Sequence, residues 1–272
     1  MMLTVLVLVT LISGTSILIS YYVTGQKIER DVATEFFNTE SVAGTCFDLF
    51  SRQLLFTAKG MADELVLRQM QDAGGEQSLA AMFRSLKGKK SGDVLFLDNT
   101  DGVVIAFSEK NMGIARSLAR YQSVQGGMET DQPFSTVVMV DSDVGMDPQE
   151  RKSFYMIAAV PVMLPSSPQR FFVFSCYLMD SSFLLRFPIY SHMDITLVSD
   201  NSVVATTLSS DDTLEGDKYP FYKSSVLLPG AIDLIHESSF FKEKMYVKIK
   251  YIPRMENSTT SFLIFSHPSR LV

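Results

Sequence analysis

The sequence predicts an α+β protein with an N-terminal transmembrane helix, a long stalk helix and two modules that each contain an antiparallel sheet. Three observations lead to this fold class. An uncharged apolar run comes first, a long helical pattern without proline follows it, and a short β-hairpin pattern then occurs twice, at residues 95–108 and 195–208. A chain of 272 residues is long enough for one large domain or for two small domains with separate cores.

The first 23 residues contain no charged side chain, and Lys27 is the first one along the chain. A helix of this length can cross a hydrocarbon layer of about 30 Å, and Tyr21 and Tyr22 suit the membrane–water interface. A cleaved secretory signal is the alternative, but its apolar region would normally be only about 7–15 residues long. Because apolar residues resume after the small residues 13–16, we expect an uncleaved anchor over residues 1–23.

Residues 24–72 carry a long helical pattern that we interpret as a stalk, because apolar residues recur at spacings of three, four or seven without an intervening proline. A helix of about 45 residues would extend roughly 65–70 Å from the membrane. The distal half is expected to pack on a sheet, whereas the half nearest the membrane needs a second helix or a partner chain to cover it. We therefore expect a homodimer. The apolar stripe comprises Ile28, Val32, Phe36, Ala43, Phe47, Phe50, Leu54, Ala58, Met61 and Leu65.

Strand patterns after the stalk predict two sheets. The first hairpin, a helical loop at residues 111–127 and three further strands fit a five-stranded antiparallel sheet with helices on one side. A short helix at 183–187 then leads into the second hairpin, and two more strands finish the chain. We place the modules at residues 73–190 and 191–272, and expect the second to be the smaller. The further strands are expected at 134–140, 154–162, 170–178, 245–252 and 261–265.

Composition limits the functional classes to which the chain can belong. Hydrophobic residues make up 46% of the sequence and the formal net charge is -6, as expected of a folded protein. The acidic balance argues against a nucleic-acid partner, because such a surface needs clustered Lys and Arg side chains against the phosphates. The two cysteines, Cys46 and Cys176, fall in a predicted helix and a predicted strand; two buried thiols are expected, and a disulfide is the alternative.

No catalytic or metal-binding motif is readable in the sequence. The three histidines, His192, His236 and His267, have neither HExxH spacing nor a cysteine nearby. The nucleophile elbow GxSxG and the phosphate-binding glycine loops are absent from the sequence as well. We therefore expect no enzyme, no metal site and no cofactor.

Three stretches resemble the double Cache (PAS-like) extracytoplasmic sensory domains of bacterial transmembrane receptors. They are YMIAAVPV at residues 155–162, FFVFSCYLMDSSFLLRF at 171–187 and DITLVSDNSVVATTL at 194–208. The nearest variant is the double sensory domain of two-component sensor kinases, whose second module opens with a similar hairpin. The strand at 175–180 lacks the family's glycine before Leu-Leu-Asp. The chain also has no Trp, so the amino-acid recognition of another double Cache subgroup is not implied.

The resemblance implies the ligand-sensing region of a transmembrane signal-transduction receptor. The anchor would lie in the cell inner membrane and the sensory part in the periplasm or outside the cell, with module 73–190 distal and module 191–272 proximal. Ligand binding would displace helices and act on a cytoplasmic output domain, which we expect outside this chain and which could belong to a histidine kinase, a chemoreceptor or a cyclic-dinucleotide enzyme. A structural or protein-interaction module without a small ligand is the alternative, and an extracytoplasmic enzyme is less favoured.

The segment ARSLARYQSVQGG, residues 115–127, is the best candidate for ligand recognition. Arg116, Arg120 and Tyr121 fall where PAS-like sensors cover the sheet with a helix and a loop, and Tyr155 lies on the facing strand. A guanidinium can hold a carboxylate with two parallel hydrogen bonds, so we expect a small polar or anionic ligand. In the alternative interpretation the arginines are exposed helix charges and Tyr155 is an ordinary sheet residue.

Overall fold

A single helix, α1 (Met2–Gln71), opens the computed structural model of the protein and is 70 residues long. It spans both the predicted anchor and the predicted stalk, as the absence of proline allows. Among the described residues, no helix is both long enough and apolar enough to cross a membrane. The structure describes residues 2–71, 94–99, 104–107, 121–140, 153–165, 169–187, 193–199, 202–207, 235–240, 243–252, 255 and 261–268.

Ten strands and two short helices follow α1 in the described part of the chain. They are β1 (Val94–Asn99), β2 (Val104–Phe107), α2 (Gln122–Glu129), β3 (Phe134–Val140), β4 (Ser153–Met163), β5 (Arg170–Leu178), α3 (Ser181–Leu184), β6 (Asp194–Ser199), β7 (Ser202–Thr206), β8 (Ile235–Phe240), β9 (Glu243–Tyr251) and β10 (Ser261–Pro268). The strands form two five-stranded antiparallel sheets with the orders β2-β1-β5-β4-β3 and β7-β6-β10-β9-β8. The two orders are the same when the strands are counted within each sheet.

The repeated hairpin of the sequence is a repeated structural unit. The β1–β2 ladder shifts register between Leu97 and Asp98, and the β6–β7 ladder shifts between Leu197 and Val198. Such an irregularity adds one residue to one strand and increases the local twist. The predicted likeness of the two hairpins is therefore confirmed down to the position of this shift.

The second sheet is larger than the sequence predicted. The sequence indicated four strands there, but β8 (Ile235–Phe240) is a fifth, paired antiparallel with β9. Its sequence, IHESSF, is mostly polar and lacks the apolar alternation that marks a half-buried strand. The expectation of a smaller second sheet is therefore wrong.

Both sheets cover the apolar stripe of α1. Its stretch from Val32 to Leu54 packs in one core with side chains of both sheets, among them Ile195, Leu263 and Phe265 of the second. Farther along, Ala58 to Leu65 packs on β4 and β5, as the sequence predicted for the distal half. The second sheet therefore covers the stripe in the half of the predicted stalk nearest the anchor, and the reason given for a homodimer from this stripe is wrong.

Close approach of α1 to the first sheet depends on small side chains. Ser135, Ala158 and Ser175 are neighbours across β3, β4 and β5, and this row lies on the face that α1 covers. The hydroxyl of Ser51 on α1 donates a hydrogen bond of 2.6 Å to the hydroxyl of Ser135. The middle of α1 is therefore joined directly to the edge strand β3.

A charged contact joins α1 to the second sheet. The side chain of Glu40 accepts hydrogen bonds from the ammonium groups of Lys248 and Lys250 on β9. Burial disfavours the ionised carboxylate, but the hydrogen bonds and charges of the two lysines outweigh it, so the pKa of Glu40 is lowered. The cluster therefore stabilises contact between α1 and β9 while Glu40 is ionised.

The connection between the sheets is anchored on α1. The side chain of Asp180 accepts a 2.8 Å hydrogen bond from the backbone N–H of Phe183, so α3 starts at Ser181, two residues before the predicted helix. The ring of Phe183 lies 6.3 Å from that of Phe47 and 5.0 Å from that of Phe50, centroid to centroid. Such aromatic contacts hold the connection against the middle of α1.

The two cysteines form no disulfide. Cys46 packs on the core beneath α1, whereas Cys176 is fully buried on the opposite face of the first sheet. Burial raises the pKa of the Cys46 thiol, which disfavours the reactive thiolate. The predicted pair of thiols is confirmed, with Cys46 only partly buried.

Candidate functional site

The face of the first sheet that points away from α1 is covered by α2. Side chains alternate along β4, so Tyr155, Ile157 and Ala159 face α2 while their neighbours face α1. Val124 and Met128 of α2 are buried against this face. The result is an apolar layer between α2 and the sheet, which also contains Val138, Val140, Phe172, Phe174 and Cys176.

Local hydrogen bonds determine where α2 begins and ends. The backbone C=O of Tyr121 accepts from the N–H groups of Val124 and Gln125 at 3.0 and 2.9 Å, and the hydroxyl of Thr130 donates to the C=O of Gly127 at 2.7 Å. The chain then turns at Asp131, whose φ of 57° is left-handed, a conformation that Asp tolerates better than most residues. Arg170 at the start of β5 pairs with this carboxylate at 2.9 Å.

Two of the four predicted ligand-binding residues lie in this region. Tyr155 is buried in the apolar layer, and Tyr121 is half-buried and packs against the same layer. The structure therefore brings the two tyrosines into one cluster. The other two, Arg116 and Arg120, lie outside the described residues, so the arginine contacts stay predictions.

A cleft of about 580 Å³ lies beside α2 along the edge strand β3. Its volume is within the range of about 300–1,000 Å³ that is usual for small-molecule sites. We refer to it as the α2 cleft. Its described lining comprises Gln122, Ser123, Gly126, Gly127, Thr130, Phe134, Ser135, Thr136 and Met255.

The ring of Phe134 lies directly on the backbone of Gly127. A Cβ at Gly127 would lie 2.5 Å from Cδ2 of Phe134, much closer than ordinary contact allows. The ring also packs against the apolar layer, since its centroid is 6.3 Å from that of Phe174 at an interplanar angle of 82°. Phe134 is therefore the wall between the α2 cleft and the apolar layer.

Neutral hydrogen-bonding side chains make up most of the described lining. Five of its side chains carry neutral hydroxyl or amide groups, which donate and accept hydrogen bonds. Among the described residues, no group of three His, Cys, Asp or Glu side chains is placed to hold a metal ion. The part of the cleft that the structure describes is therefore suited to hydrogen-bonding a small molecule.

The sequence pattern predicted part of the lining of the α2 cleft. The predicted recognition segment 115–127 supplies Gln122, Ser123, Gly126 and Gly127. Gly126 and Gly127 lie a few residues before Phe134, which begins β3, and this pattern could have indicated the close contact between Gly127 and Phe134. No sequence signal pointed to Met255, which follows a strand of the other sheet. The lining residues that sequence reasoning missed are Thr130, Phe134, Ser135, Thr136 and Met255.

Solved structures with the same fold are periplasmic or extracellular sensory domains. The periplasmic domain of LuxQ from Vibrio cholerae has a TM-score of 0.55 at 11% identity, with 87% of this chain and 99% of that chain covered. The ligand-binding domain of the Pseudomonas fluorescens chemoreceptor CtaA, solved with L-serine, has a TM-score of 0.51 at 12% identity, with 88% and 98% covered. The extracellular domain of vpHK1S-Z8, a protein described as a histidine kinase, has a TM-score of 0.52 at 12% identity, with 88% and 95% covered.

The chain has the fold of these sensory domains. The predicted resemblance to double Cache sensory domains is thereby confirmed at the level of fold, over most of the chain. No family model matches the sequence, and no curated protein sequence matches it. At 11–12% identity the likeness is one of architecture, and function has to be argued from the site.

Proposed function

We propose that the chain is the extracytoplasmic ligand-sensing region of a bacterial transmembrane signal-transduction receptor. The observation that carries this proposal is the arrangement of two sheets of identical strand order on one 70-residue helix, with a cleft beside the first sheet. The similar fold of the ligand-binding domain of the chemoreceptor CtaA supports the proposal. The membrane-distal module would comprise residues 73–190, and the membrane-proximal module residues 191–272.

The ligand would be a small polar or anionic molecule held by the distal module. Arg120 and Tyr121 would make the main contacts, with Arg116 and Tyr155 as secondary contacts. Both tyrosines lie on the α2 side of the first sheet, which is consistent with this assignment, although neither belongs to the described lining of the α2 cleft. A hydrogen bond to a charged group contributes about 1.5–3 kcal/mol, so loss of the Arg120 guanidinium should weaken an anionic ligand by about ten- to a hundredfold.

Binding would be transmitted by displacement of α1. A ligand shifts an equilibrium only if it binds one arrangement better than the other, and packed helices can move by about 1–2 Å between two arrangements. The helix α1 is suited to this role because it contacts both sheets. The receiver would be a cytoplasmic output domain, of a kinase, a chemoreceptor or a cyclic-dinucleotide enzyme.

Membrane anchoring and dimerisation would both use exposed apolar side chains of α1. All side chains from residue 9 to residue 24 are exposed, and large apolar ones such as Leu18, at 72%, are among them. Farther along, Leu49, Phe56 and Leu67 are 61%, 80% and 57% exposed. Their spacings of seven and eleven residues place them on one face of the helix, so a second copy of α1 would cover them.

A binding screen tests the proposal. Residues 25–272 would be screened by thermal shift against organic acids, amino acids and nucleobases, followed by calorimetry on Arg120→Ala and Tyr121→Phe. We expect a saturable ligand that both variants bind more weakly, while Gln125→Ala, an exposed change on α2, leaves binding unchanged. If no compound binds saturably, the alternative of a structural module without a small ligand is favoured. If a ligand binds both variants as tightly as the parent chain, the assignment to Arg120 and Tyr121 is wrong.

A further inference from the structure

The α2 cleft touches three separate parts of the fold. Four lining residues belong to α2, three belong to β3, and Met255 belongs to the segment that follows β9 of the second sheet. The backbone N–H of Met255 donates to the C=O of Ile252 at 3.3 Å, and Ile252 is buried in the core that both sheets share with α1. An occupant of the cleft would therefore contact the first sheet and, through Met255, the segment that follows the second sheet's β9.

The cleft is also one hydrogen bond away from α1. Ser135 and Thr136 are consecutive on β3, so their side chains leave the strand on opposite faces, and both residues line the cleft. Ser135 is the residue whose hydroxyl accepts the 2.6 Å hydrogen bond from Ser51 of α1. A group that binds Ser135 in the cleft would act directly on the middle of the long helix.

The described lining selects for neutral hydrogen-bonding groups. Hydroxyl and amide side chains line it from α2, from the turn at Thr130 and from β3. A Cβ added at Gly126 would meet no atom within 4 Å, so the cleft has room beside this turn of the helix. The ring of Phe134 provides one apolar wall. This combination matches a compact molecule with several hydroxyl or amide groups and some apolar surface.

We infer, resting on the proposed sensory function, that the α2 cleft binds an uncharged small molecule with hydroxyl or amide groups. Its presence is transmitted to α1 through Ser135 and Ser51, and to the second sheet through Met255. The cleft would then be the place where occupancy stabilises one relative position of the two sheets and the helix. Such coupling requires that the occupant bind that position more tightly than the alternatives.

A covalently tethered occupant tests this inference and does not require the natural ligand. In the full-length protein in detergent, Ser123→Cys in a Cys46→Ala background would be alkylated with iodoacetamide, which places a neutral amide in the cleft. Cys176 is not replaced, because it is fully buried and should not react. Gln125→Cys is the control, because Gln125 is exposed on the same helix and is not a lining residue. If Ser123→Cys fails to fold, Gln122→Cys offers a second attachment point on the lining.

Amide hydrogen exchange would measure the response. We expect the Ser123 adduct to slow exchange around Ser51 and around Ile252 by about threefold or more, because a bound group suppresses local opening. The Gln125 adduct should slow neither region. Equal exchange in the two adducts would overturn the inference.

Two further experiments test the route to α1 and the ligand class separately. Ser135→Ala should abolish the slowing around Ser51 and leave the slowing around Ile252; if it changes neither, the route to α1 is wrong. Iodoacetate, which adds a carboxylate, should slow exchange less than iodoacetamide, and a larger effect would show that the ligand class is anionic. None of these results depends on Arg120 or on a free ligand, so failure here is distinct from failure of the proposed sensory function.

Discussion

Two adjacent glycines of α2 offer a matched test of the site's packing. We expect Gly127→Ala to destabilise the protein, because its Cβ would lie 2.5–2.6 Å from three ring atoms of Phe134. Ordinary contacts need about 3.5 Å or more, so the ring would have to move by roughly 1 Å. Gly126→Ala places the same methyl group where nothing lies within 4 Å.

The magnitude follows from two opposing effects. Replacing a helical glycine by alanine stabilises a helix by up to about 1 kcal/mol, and this gain applies to both positions. Overpacking of a filled site costs about 1–3 kcal/mol, and this cost applies only at Gly127. Gly126→Ala should therefore be neutral or stabilising, and Gly127→Ala should be about 1–3 kcal/mol less stable than Gly126→Ala.

Thermal unfolding followed by circular dichroism measures the difference. For a chain of this size 1 kcal/mol corresponds to about 2–4 °C in Tm, so the two variants should differ by about 2–12 °C. Adding Phe134→Ala should remove most of the difference, because no ring is left to displace. If Gly127→Ala is as stable as Gly126→Ala, the ring of Phe134 does not lie on Gly127, and the wall between the cleft and the apolar layer is not where we describe it.

Three further expectations concern α1. The full-length protein should stay in the membrane fraction after carbonate washing with residues 1–23 intact; a mature N-terminus near residue 16 would contradict an anchor. In a Cys46→Ala background, Phe56→Cys should cross-link between copies under oxidation while the control Val32→Cys should not, since Val32 is buried; the opposite result would refute the dimer surface. Because the pKa of Glu40 is lowered, its stabilising effect is present above its ordinary value of 4.5 and is lost as the pH falls through the lowered value. Glu40→Gln should therefore reduce the fall in Tm between about pH 6 and pH 3, and an unchanged pH profile would contradict a role for the lysine cluster.

Apolar periodicity predicted the elements that are half or fully buried. The strands at 134–140 and 170–178 have the predicted bounds, and β4 extends the predicted strand by one residue at each end. These strands are buried along most of their length, so their apolar residues are visible in the sequence. The edge strand β8 is polar and was missed, because its position depends on pairing with β9 and leaves no periodic signal.

Contacts between residues far apart in the sequence determine how α1 is covered and how the α2 cleft is completed, and the sequence pattern predicted neither. The stripe of α1 correctly predicted a buried face, but nothing local indicated that the second sheet would fold back to cover Val32 and Phe36. In the same way, the recognition segment before Gly127 was identified from its own residues. Met255 joins the cleft only through the tertiary fold, 128 positions farther along the chain than Gly127.

The middle of α1 contacts both sheets and the segment that connects them. Within three turns it pairs Glu40 with β9, packs Phe47 on α3 and donates from Ser51 to β3. These contacts reach the second sheet, the connection and the first sheet in turn. Protein interiors are densely packed and do not deform continuously, so a shift of α1 along its axis would have to break and re-form all three together. A cleft that includes Ser135 therefore lies next to a segment of α1 that contacts both sheets and the connection between them.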